Sequence, residues 1–213
     1  MMTATPPQTH RERKKLATRG AIHDAAFELV DSNGLSGTTI EAISERAGVA
    51  PRTFWAYYAS KEDAVIDRNP EWPAILRAEL LDRPADEDAV TALRRVLERY
   101  VADRVVDSDR AVRRLELVRR EPQLMAAAAA VFDEIEQALT LGIAERLGLD
   151  PETDLRPPVL VMAACGATKV AQHRWAAQKG RQPFDELLAA AFEELAEGLT
   201  PLVQSRRAER GAP

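Results

Sequence analysis

Hydrophobic residues recur at three- and four-residue spacing along most of this chain, which is the period of an amphipathic α-helix. Glycine and proline interrupt the pattern at intervals, among them Gly48, Pro70, Pro84, Pro122 and Gly148. No stretch shows the alternation of polar and apolar residues that is typical of a half-buried strand. The sequence therefore predicts an all-α protein of about ten helices.

A short helix with clear start and stop signals is predicted after Gly37. Thr38 can accept a hydrogen bond at the helix start, and Glu41, three residues later, can reach back to it in a capping box. The apolar positions that follow share one helical face: Ile40, Ile43 and Ala47. Gly48 can supply the left-handed backbone with which such a helix ends.

A second short helix is predicted immediately afterwards, from Pro51 to Tyr58. Proline suits the first position of a helix, because the N–H that it lacks has no partner there. Ser60 can cap a third helix, with Asp63 in its first turn. Two short helices joined by a tight turn form a helix-turn-helix, whose second helix can lie in the major groove of DNA.

The residues from Ile22 to Val65 resemble the TetR family of bacterial transcriptional regulators. The resemblance rests on Gly34, Thr38-Thr39, Ala42-Ile43, Ala47-Gly48-Val49, Phe54, Tyr57-Tyr58 and Ser60-Lys61-Glu62. It departs from the family pattern at Ala50, where a serine commonly caps the second helix and alanine cannot. The resemblance implies a DNA-binding domain over residues 1–68 and a larger effector-binding and dimerisation domain over residues 69–213.

The second helix of the motif carries the side chains that could contact DNA. Arg52 can bond a guanine edge or a phosphate, Thr53 can reach a phosphate, and Tyr57 can do either. The resemblance implies that these positions face DNA and that Lys61 contacts a phosphate. Two further candidates have alternatives: Thr39 could be only a second cap, and Trp55, like Tyr58, could belong to the core.

The net charge of −5 does not by itself suggest a nucleic-acid partner. It arises entirely after residue 68, because residues 1–68 carry nine basic and nine acidic groups. A basic cluster that includes Arg13, Lys14 and Lys15 precedes the apolar part of the first helix. This cluster could be a solvated tail, or an N-terminal arm that contacts the DNA backbone or minor groove.

Two segments of the second half are similar, less specifically, to TetR-like actinobacterial regulators related to those of mycofactocin operons. They are PEWPAILRAELLDRP at 70–84 and RRLELVRREPQLMAAA at 113–128. The resemblance implies a small, apolar or acyl-type effector bound among the middle helices. The candidate pocket residues, each of which could instead be ordinary core, are Trp72, Leu76, Tyr100, Arg104, Leu115, Met125, Phe132, Met162, Cys165, Lys169, His173 and Trp175.

The last two long helices contain candidate dimer contacts. Ala163, Gly166 and Ala167 would permit close approach of another helix, and an apolar stripe follows with Leu188, Phe192 and Leu195. The stripe could close the core, or could pair with its symmetry mate in a four-helix bundle. The TetR resemblance implies a homodimer whose two recognition helices face the half-sites of a palindromic operator.

The remaining composition limits the class of protein. The single cysteine, Cys165, allows no intramolecular disulfide and suits the cytoplasm, and no apolar run approaches the length of a membrane span. We expect no cofactor and no metal site, because Cys165, Lys169 and His173 share a face but lysine is a poor ligand.

Three functions remain open: a ligand-responsive repressor, a constitutive DNA-binding protein whose second domain only dimerises, and an all-α enzyme. The enzyme fits least, because no nucleophile–base pair, carboxylate pair or cofactor loop can be placed. The size of the second domain favours the repressor, whose partners would be an operator, a small-molecule effector and a second copy of the chain.

Overall fold

A computed structural model describes residues 9–102 and 108–209, and over these ranges the chain forms ten α-helices and no strand. The all-α prediction is confirmed. The helices are α1 (His10–Asn33), α2 (Ile40–Arg46), α3 (Pro51–Trp55), α4 (Lys61–Ile66), α5 (Trp72–Leu81), α6 (Ala89–Ala102), α7 (Ser108–Arg120), α8 (Pro122–Leu147), α9 (Arg156–Ala177) and α10 (Phe184–Glu209).

The chain divides into two compact units. The first contains the residues up to Asn69 together with Leu117–Ala129, and the second contains Pro70–Glu116 and the residues from Ala130 onward. The sequence analysis assigned Leu117–Ala129 to the second domain, since it lies far along the chain. The side chains of Leu117 and Leu124 are buried, and the Arg120 guanidinium lies 3.5 Å from the Asp31 carboxylate of α1.

The helix-turn-helix forms as predicted, with two corrections: its second helix ends at Trp55 and not at Tyr58, and its first helix has a different cap. Thr39 and not Thr38 caps α2: its hydroxyl accepts a hydrogen bond from the Ala42 amide at 3.2 Å. Thr38 is buried, and its hydroxyl donates to the Gly34 carbonyl at 3.0 Å. Gly48 then turns the chain with a φ of 66°, a region that favours glycine.

The first unit closes around large side chains from α1, α2 and the α3 turn. Helix α1 packs against α2 and α4, and α2 packs against α3. Phe27, Ile43 and Phe54 are almost fully buried where these helices meet. Burying side chains of this size contributes about 1.5–3 kcal/mol each. Helices α1, α2 and α3 are therefore held together by one shared core.

The second unit is built on α9, which packs against α6 and α10. Its core includes Trp175, whose ring meets that of Phe184 edge-on at 6.0 Å between centroids. The Arg146 guanidinium, from α8, donates to the carbonyl oxygens of four residues that end α5 and form the following turn: Leu80, Arg83, Pro84 and Glu87. These carbonyls have no partner within a helix, so Arg146 supplies the cap. Within the described residues no helix is long and apolar enough to cross a membrane.

Candidate functional site

Helix α3 presents one face to the core of the first unit and the other to solvent. Phe54 is buried, and so is Tyr58, just past the end of the helix. They are four residues apart, so they lie on the same side, and their rings are 6.1 Å apart between centroids. This contact fixes the rotation of α3 about its own axis. Tyr58 is therefore a core residue, which was the structural alternative given for it in the sequence analysis.

The opposite face of α3 carries the side chains predicted to reach DNA. Arg52 is exposed, and Trp55 is 55% exposed with its ring edge-on to Phe54 at 5.5 Å. Thr53 and Tyr57 are half-buried at the two edges of this face. The core alternative for Trp55 is thus removed. A short helix with a guanidinium and an indole on its outer side, and a phenol at the edge just past its end, can offer both hydrogen-bond donors and flat apolar surface.

The start of α3 has no side-chain cap. Ala50 occupies the N-cap position and makes no side-chain hydrogen bond, while Pro51 has no N–H to satisfy. The Thr53 N–H donates to the Ala50 carbonyl at 2.8 Å, so the helix begins on backbone bonds alone. The departure at Ala50 therefore removes the cap that a serine would provide and leaves the helix itself intact.

Lys61 and Thr39 have internal partners that the sequence did not reveal. The Lys61 ammonium is half-buried and donates to the carbonyl oxygens of Leu35 at 2.6 Å and Thr38 at 3.0 Å. An ammonium has three N–H donors, so one remains for a phosphate. Thr39 caps α2, which was the alternative to a DNA contact, and its side chain is exposed.

The basic cluster near the start of the chain lies in a helix and not in an extended arm. Arg13, Lys14 and Lys15 all fall within the first turns of α1, and all are exposed. They are the fourth to sixth residues of α1, and an exposed group of cations of this kind attracts an anionic partner.

Three side chains from separate parts of the first unit meet where α4 ends. The Asp67 carboxylate accepts hydrogen bonds from the Tyr58 hydroxyl at 2.7 Å and from Arg19 Nε at 3.1 Å. The Arg19 guanidinium also donates to the Arg68 carbonyl and lies 4.7 Å from the centre of the Tyr58 ring. Asp67 ends α4 with a φ of 53°, which is unusual for a residue other than glycine. We name these three side chains the exit cluster.

The predicted pocket residues do not all line one interior space. Leu76 and Tyr100 are buried in the second unit, and Tyr100 meets the half-buried Trp72 edge-on at 5.3 Å between ring centroids. Leu115 and Phe132 are half-buried, whereas Cys165 and Trp175 are buried. Arg104 lies outside the described residues.

Four other predicted pocket residues lie on exposed faces. They are Met125, Met162, Lys169 and His173, and Met125 belongs to the first unit. Helical spacing identifies an apolar face, but it does not say whether the chain's own core or another molecule covers that face. These four positions therefore give no support to an interior pocket.

An open cleft of about 860 Å³ lies beside α6 in the second unit, away from the predicted pocket residues. Among its described lining residues, four arginines of the α5–α6 region (Arg83, Arg94, Arg95 and Arg99) face Asp185 and Glu186 at the start of α10. Each arginine also lies within 4 Å of a glutamate on its own side. The charges largely cancel, so the cleft shows no preference for an anion.

The predicted dimer contacts include both buried and exposed residues. Leu188 and Phe192 are buried inside the chain, so they close the core, the first of the two alternatives for this stripe. Leu195, Ala163 and Ala167 are half-buried. Gly166 is exposed, and a Cβ added there would meet nothing within 4 Å.

Helix α9 and its N-cap residue carry an exposed apolar stripe, which the sequence analysis missed. It consists of Leu155, Val159, Met162 and Val170 around Gly166, and each of the four large side chains is between 53% and 77% exposed. Steps of three and four residues place them on one helical face. We name this surface the α9 stripe. Its spacing was readable in the sequence, whereas the exit cluster joins residues up to 48 positions apart and left no local signal.

Comparisons with known proteins agree with this architecture. The family model described as "Bacterial regulatory proteins, tetR family" matches residues 22–65, and that described as "MftR C-terminal domain" matches residues 87–200. The HTH-type transcriptional regulator TcmR of Streptomyces glaucescens is 32% identical over 90% of this chain and 86% of its own length. A putative mycofactocin biosynthesis transcriptional regulator, MftR, of Mycobacterium tuberculosis is 25% identical over 93% of this chain and all of its own length.

Among solved structures, that of Thermus thermophilus FadR in complex with lauroyl-CoA superimposes with a TM-score of 0.51. It is 27% identical, and the match covers 85% of this chain and 94% of that one.

Proposed function

The chain belongs to the TetR family of bacterial transcriptional regulators, and on that premise we propose that it is a repressor that binds a palindromic operator as a homodimer. As a member of this family it is a DNA-binding transcriptional regulator and not an enzyme. In the proposal, residues 1–68 provide the DNA-binding surface, the later part of the chain dimerises and binds an effector, and the protein acts in the cytoplasm.

The observation that carries the proposal is the two-sided character of α3. Phe54 and Tyr58 hold one side in the core, so the other side faces outward with Arg52 and Trp55, and the half-buried Tyr57 lies at its edge. We assign Arg52 and Tyr57 to the major groove. Thr53, the remaining N–H of Lys61 and the basic residues of α1 are assigned to phosphates, which fix position without reading sequence.

The α9 stripe supports the proposal of a homodimer. A row of exposed large apolar side chains on a helix favours a covered state, because each one buried removes apolar surface from water. A second copy brings an identical stripe, and a two-fold axis pairs each stripe with itself. Gly166 at the centre allows the two helices to approach closely. The dimer contacts proposed here are therefore Val159, Met162, Gly166 and Val170, with Ala163 and Ala167 beside them.

The effector in this proposal is a small acyl-type molecule. Support comes from the Thermus thermophilus FadR structure, which holds lauroyl-CoA. Within the second unit, the edge-on contact of Trp72 with the buried Tyr100, together with the buried Leu76 of the same helix as Trp72, provides apolar and aromatic surface of the kind that lines ligand sites. An acyl chain entering there would have to separate these side chains. Such an effector releases DNA only if it binds the DNA-free arrangement more tightly.

A fluorescence-anisotropy titration tests the proposal. Duplexes tiled across the DNA that flanks the gene are titrated with protein, with and without lauroyl-CoA, and with coenzyme A as the control that lacks the acyl chain. We expect salt-sensitive, sequence-dependent binding that lauroyl-CoA weakens and coenzyme A does not. Specific binding that no acyl compound changes would favour the constitutive alternative. The absence of any sequence preference would overturn the proposal.

A further inference from the structure

The exit cluster is built at the place where the chain leaves the DNA-binding unit. The chain passes between the two units at three places: after Asn69, after Glu116 and after Ala129. The second and third lie inside the continuous helices α7 and α8, whereas the first lies in the non-helical stretch between α4 and α5. A helix resists bending by its own hydrogen bonds. After Ile66 the chain leaves the helix through two last backbone bonds, from the Asp67 N–H to the Ala64 carbonyl at 3.3 Å and from the Arg68 N–H to the Asp63 carbonyl at 2.9 Å. Beyond them no helix continues the direction of the chain, so side chains that bind Asp67 and Arg68 add to what fixes it.

The cluster supplies those side chains. Asp67 is held by two hydrogen bonds to its carboxylate, and the next residue is held through its carbonyl by the Arg19 guanidinium. Aspartate adopts the left-handed backbone more readily than most residues, and its surroundings can hold it there. Asp67 has such surroundings, because Tyr58 and Arg19 both donate hydrogen bonds to its carboxylate. The backbone direction at Asp67 and Arg68 is therefore fixed relative to α1 and to the end of the α3 turn.

Tyr58 connects this exit to the DNA-facing helix. Its ring packs on Phe54 in the core, and its hydroxyl bonds Asp67. A single side chain thus sets the rotation of α3 and anchors the chain exit. Charge-assisted hydrogen bonds to a carboxylate are among the stronger ones in proteins, and they have defined geometry.

We propose that Arg19, Tyr58 and Asp67 act as positioning residues that fix the exit direction from the DNA-binding unit and thereby restrict the dimer to one spacing between operator half-sites. The inference rests on the proposed function. In a dimer, the distance and rotation between the two α3 helices depend on how each DNA-binding unit is joined to the rest of its chain. Adding one base pair displaces a half-site by about 3.4 Å and rotates it about the duplex axis. A fixed exit does not accommodate that change, and a loosened one does.

The test compares operators of different spacing. Asp67→Asn is the informative variant, because asparagine tolerates the left-handed backbone but removes the negative charge that holds Arg19. Tyr58→Phe keeps the buried ring and removes only the hydroxyl, so it carries the same test should the first variant not fold. Glu28→Gln is the matched control, since it breaks an ion pair of 2.6 Å between α1 and α2 that lies away from the exit.

Each protein is titrated with the inverted repeat selected by the wild type and with repeats that have one base pair added or removed. We expect a large loss of affinity for altered spacing in the wild type and in Glu28→Gln. In Asp67→Asn and Tyr58→Phe that loss should shrink by about fivefold or more, a typical coupling between sites.

Two results would overturn the inference: an unchanged spacing penalty in both cluster variants, or an equal loss of affinity at every spacing, which indicates a role in stability alone. A wild-type protein that binds the repeat but ignores its spacing would also overturn it, while leaving the proposed function intact. Failure of the wild type to bind any inverted repeat would instead refute the proposed function, and the inference with it.

Discussion

Truncating Met162 to alanine should weaken the dimer without unfolding the chain. Met162 is 61% exposed in the single chain and lies at the centre of the α9 stripe, four residues before Gly166. Its side chain therefore contributes little to the core of its own unit. Any large effect of the substitution must come from contact with another molecule.

The expected magnitude follows from the exposed fraction. Fully burying a methionine side chain contributes about 1.5–3 kcal/mol, so covering the exposed three-fifths contributes about 1–2 kcal/mol. Alanine keeps Cβ, which leaves a loss of about 1–1.5 kcal/mol on each side. A two-fold interface counts each substitution twice, so the dimer should lose about 2–3 kcal/mol, or about 30- to 150-fold in Kd.

Sedimentation equilibrium over a range of protein concentrations measures this Kd directly. Met125→Ala is the matched control, because Met125 is the same residue type, is 55% exposed, and belongs to the other unit. It should leave the Kd unchanged, and circular dichroism should show unchanged helix content in both variants. Equal Kd values for Met162→Ala and the wild type, or equal weakening by Met125→Ala, would refute the assignment of the interface.

Three further substitutions test other parts of the structure. Arg52→Ala should cost about 1–3 kcal/mol of specific binding and relax the sequence preference at one position per half-site, measured with a panel of single-base variants of the site. Lys61→Ala should lower the free energy of unfolding in urea by about 1–2 kcal/mol, because it removes the ammonium donor from the Leu35 and Thr38 carbonyls, and Leu35 keeps only the Thr38 amide at 3.4 Å. It should also weaken binding to all DNA sequences alike and reduce the salt slope; an unchanged slope would mean that Lys61 only caps. Burial and the Glu136 carboxylate raise the pKa of the Cys165 thiol to about 12. The unfolded chain therefore loses this proton first, so the free energy of unfolding should fall as pH rises above about 9, and Cys165→Ala should flatten that fall.

The fold was predictable from the sequence because its signals are local. Prolines and glycines mark most helix ends, and the helical spacing of apolar residues extends over whole segments. The cap of α2 shows the limit of such signals. Thr38 and Thr39 are adjacent and chemically alike, and the choice between them was made by the burial of Thr38 against the Gly34 carbonyl. Burial depends on packing, which spacing alone does not give.

The DNA-facing side chains were predictable for a related reason. Arg52 and Thr53 lie on a short helix and Tyr57 in the turn after it. Phe54 identifies the core face, so the other positions had to face outward or lie at the edge. Lys61 was harder, because its carbonyl partners belong to residues 23 and 26 positions earlier. The basic residues of α1 were placed in an arm because charge density alone does not distinguish a helix from a tail.

The second unit was less predictable, because an apolar stripe on a helix can either pack in the core of its own chain or remain exposed. Leu188 and Phe192 form such a stripe and are covered by their own chain, whereas Val159, Met162 and Val170 form another and are exposed. Both stripes are apolar and have the helical period, so only the packed structure distinguishes core from candidate interface. The exit cluster is of a third kind: it depends on Arg19 meeting Asp67 across 48 residues.

Selection from a pool of random DNA duplexes, with the bound fraction sequenced, tests the central claim most directly, because it assumes neither the operator nor the effector. A homodimer with an outward-facing α3 in each protomer should enrich an inverted repeat whose half-sites are about 34–36 Å apart, centre to centre. The same selection with Arg52→Ala should lose the preference at one position in each half-site. Enrichment of a single unrepeated site, or of no sequence at all by a folded protein, would contradict the account.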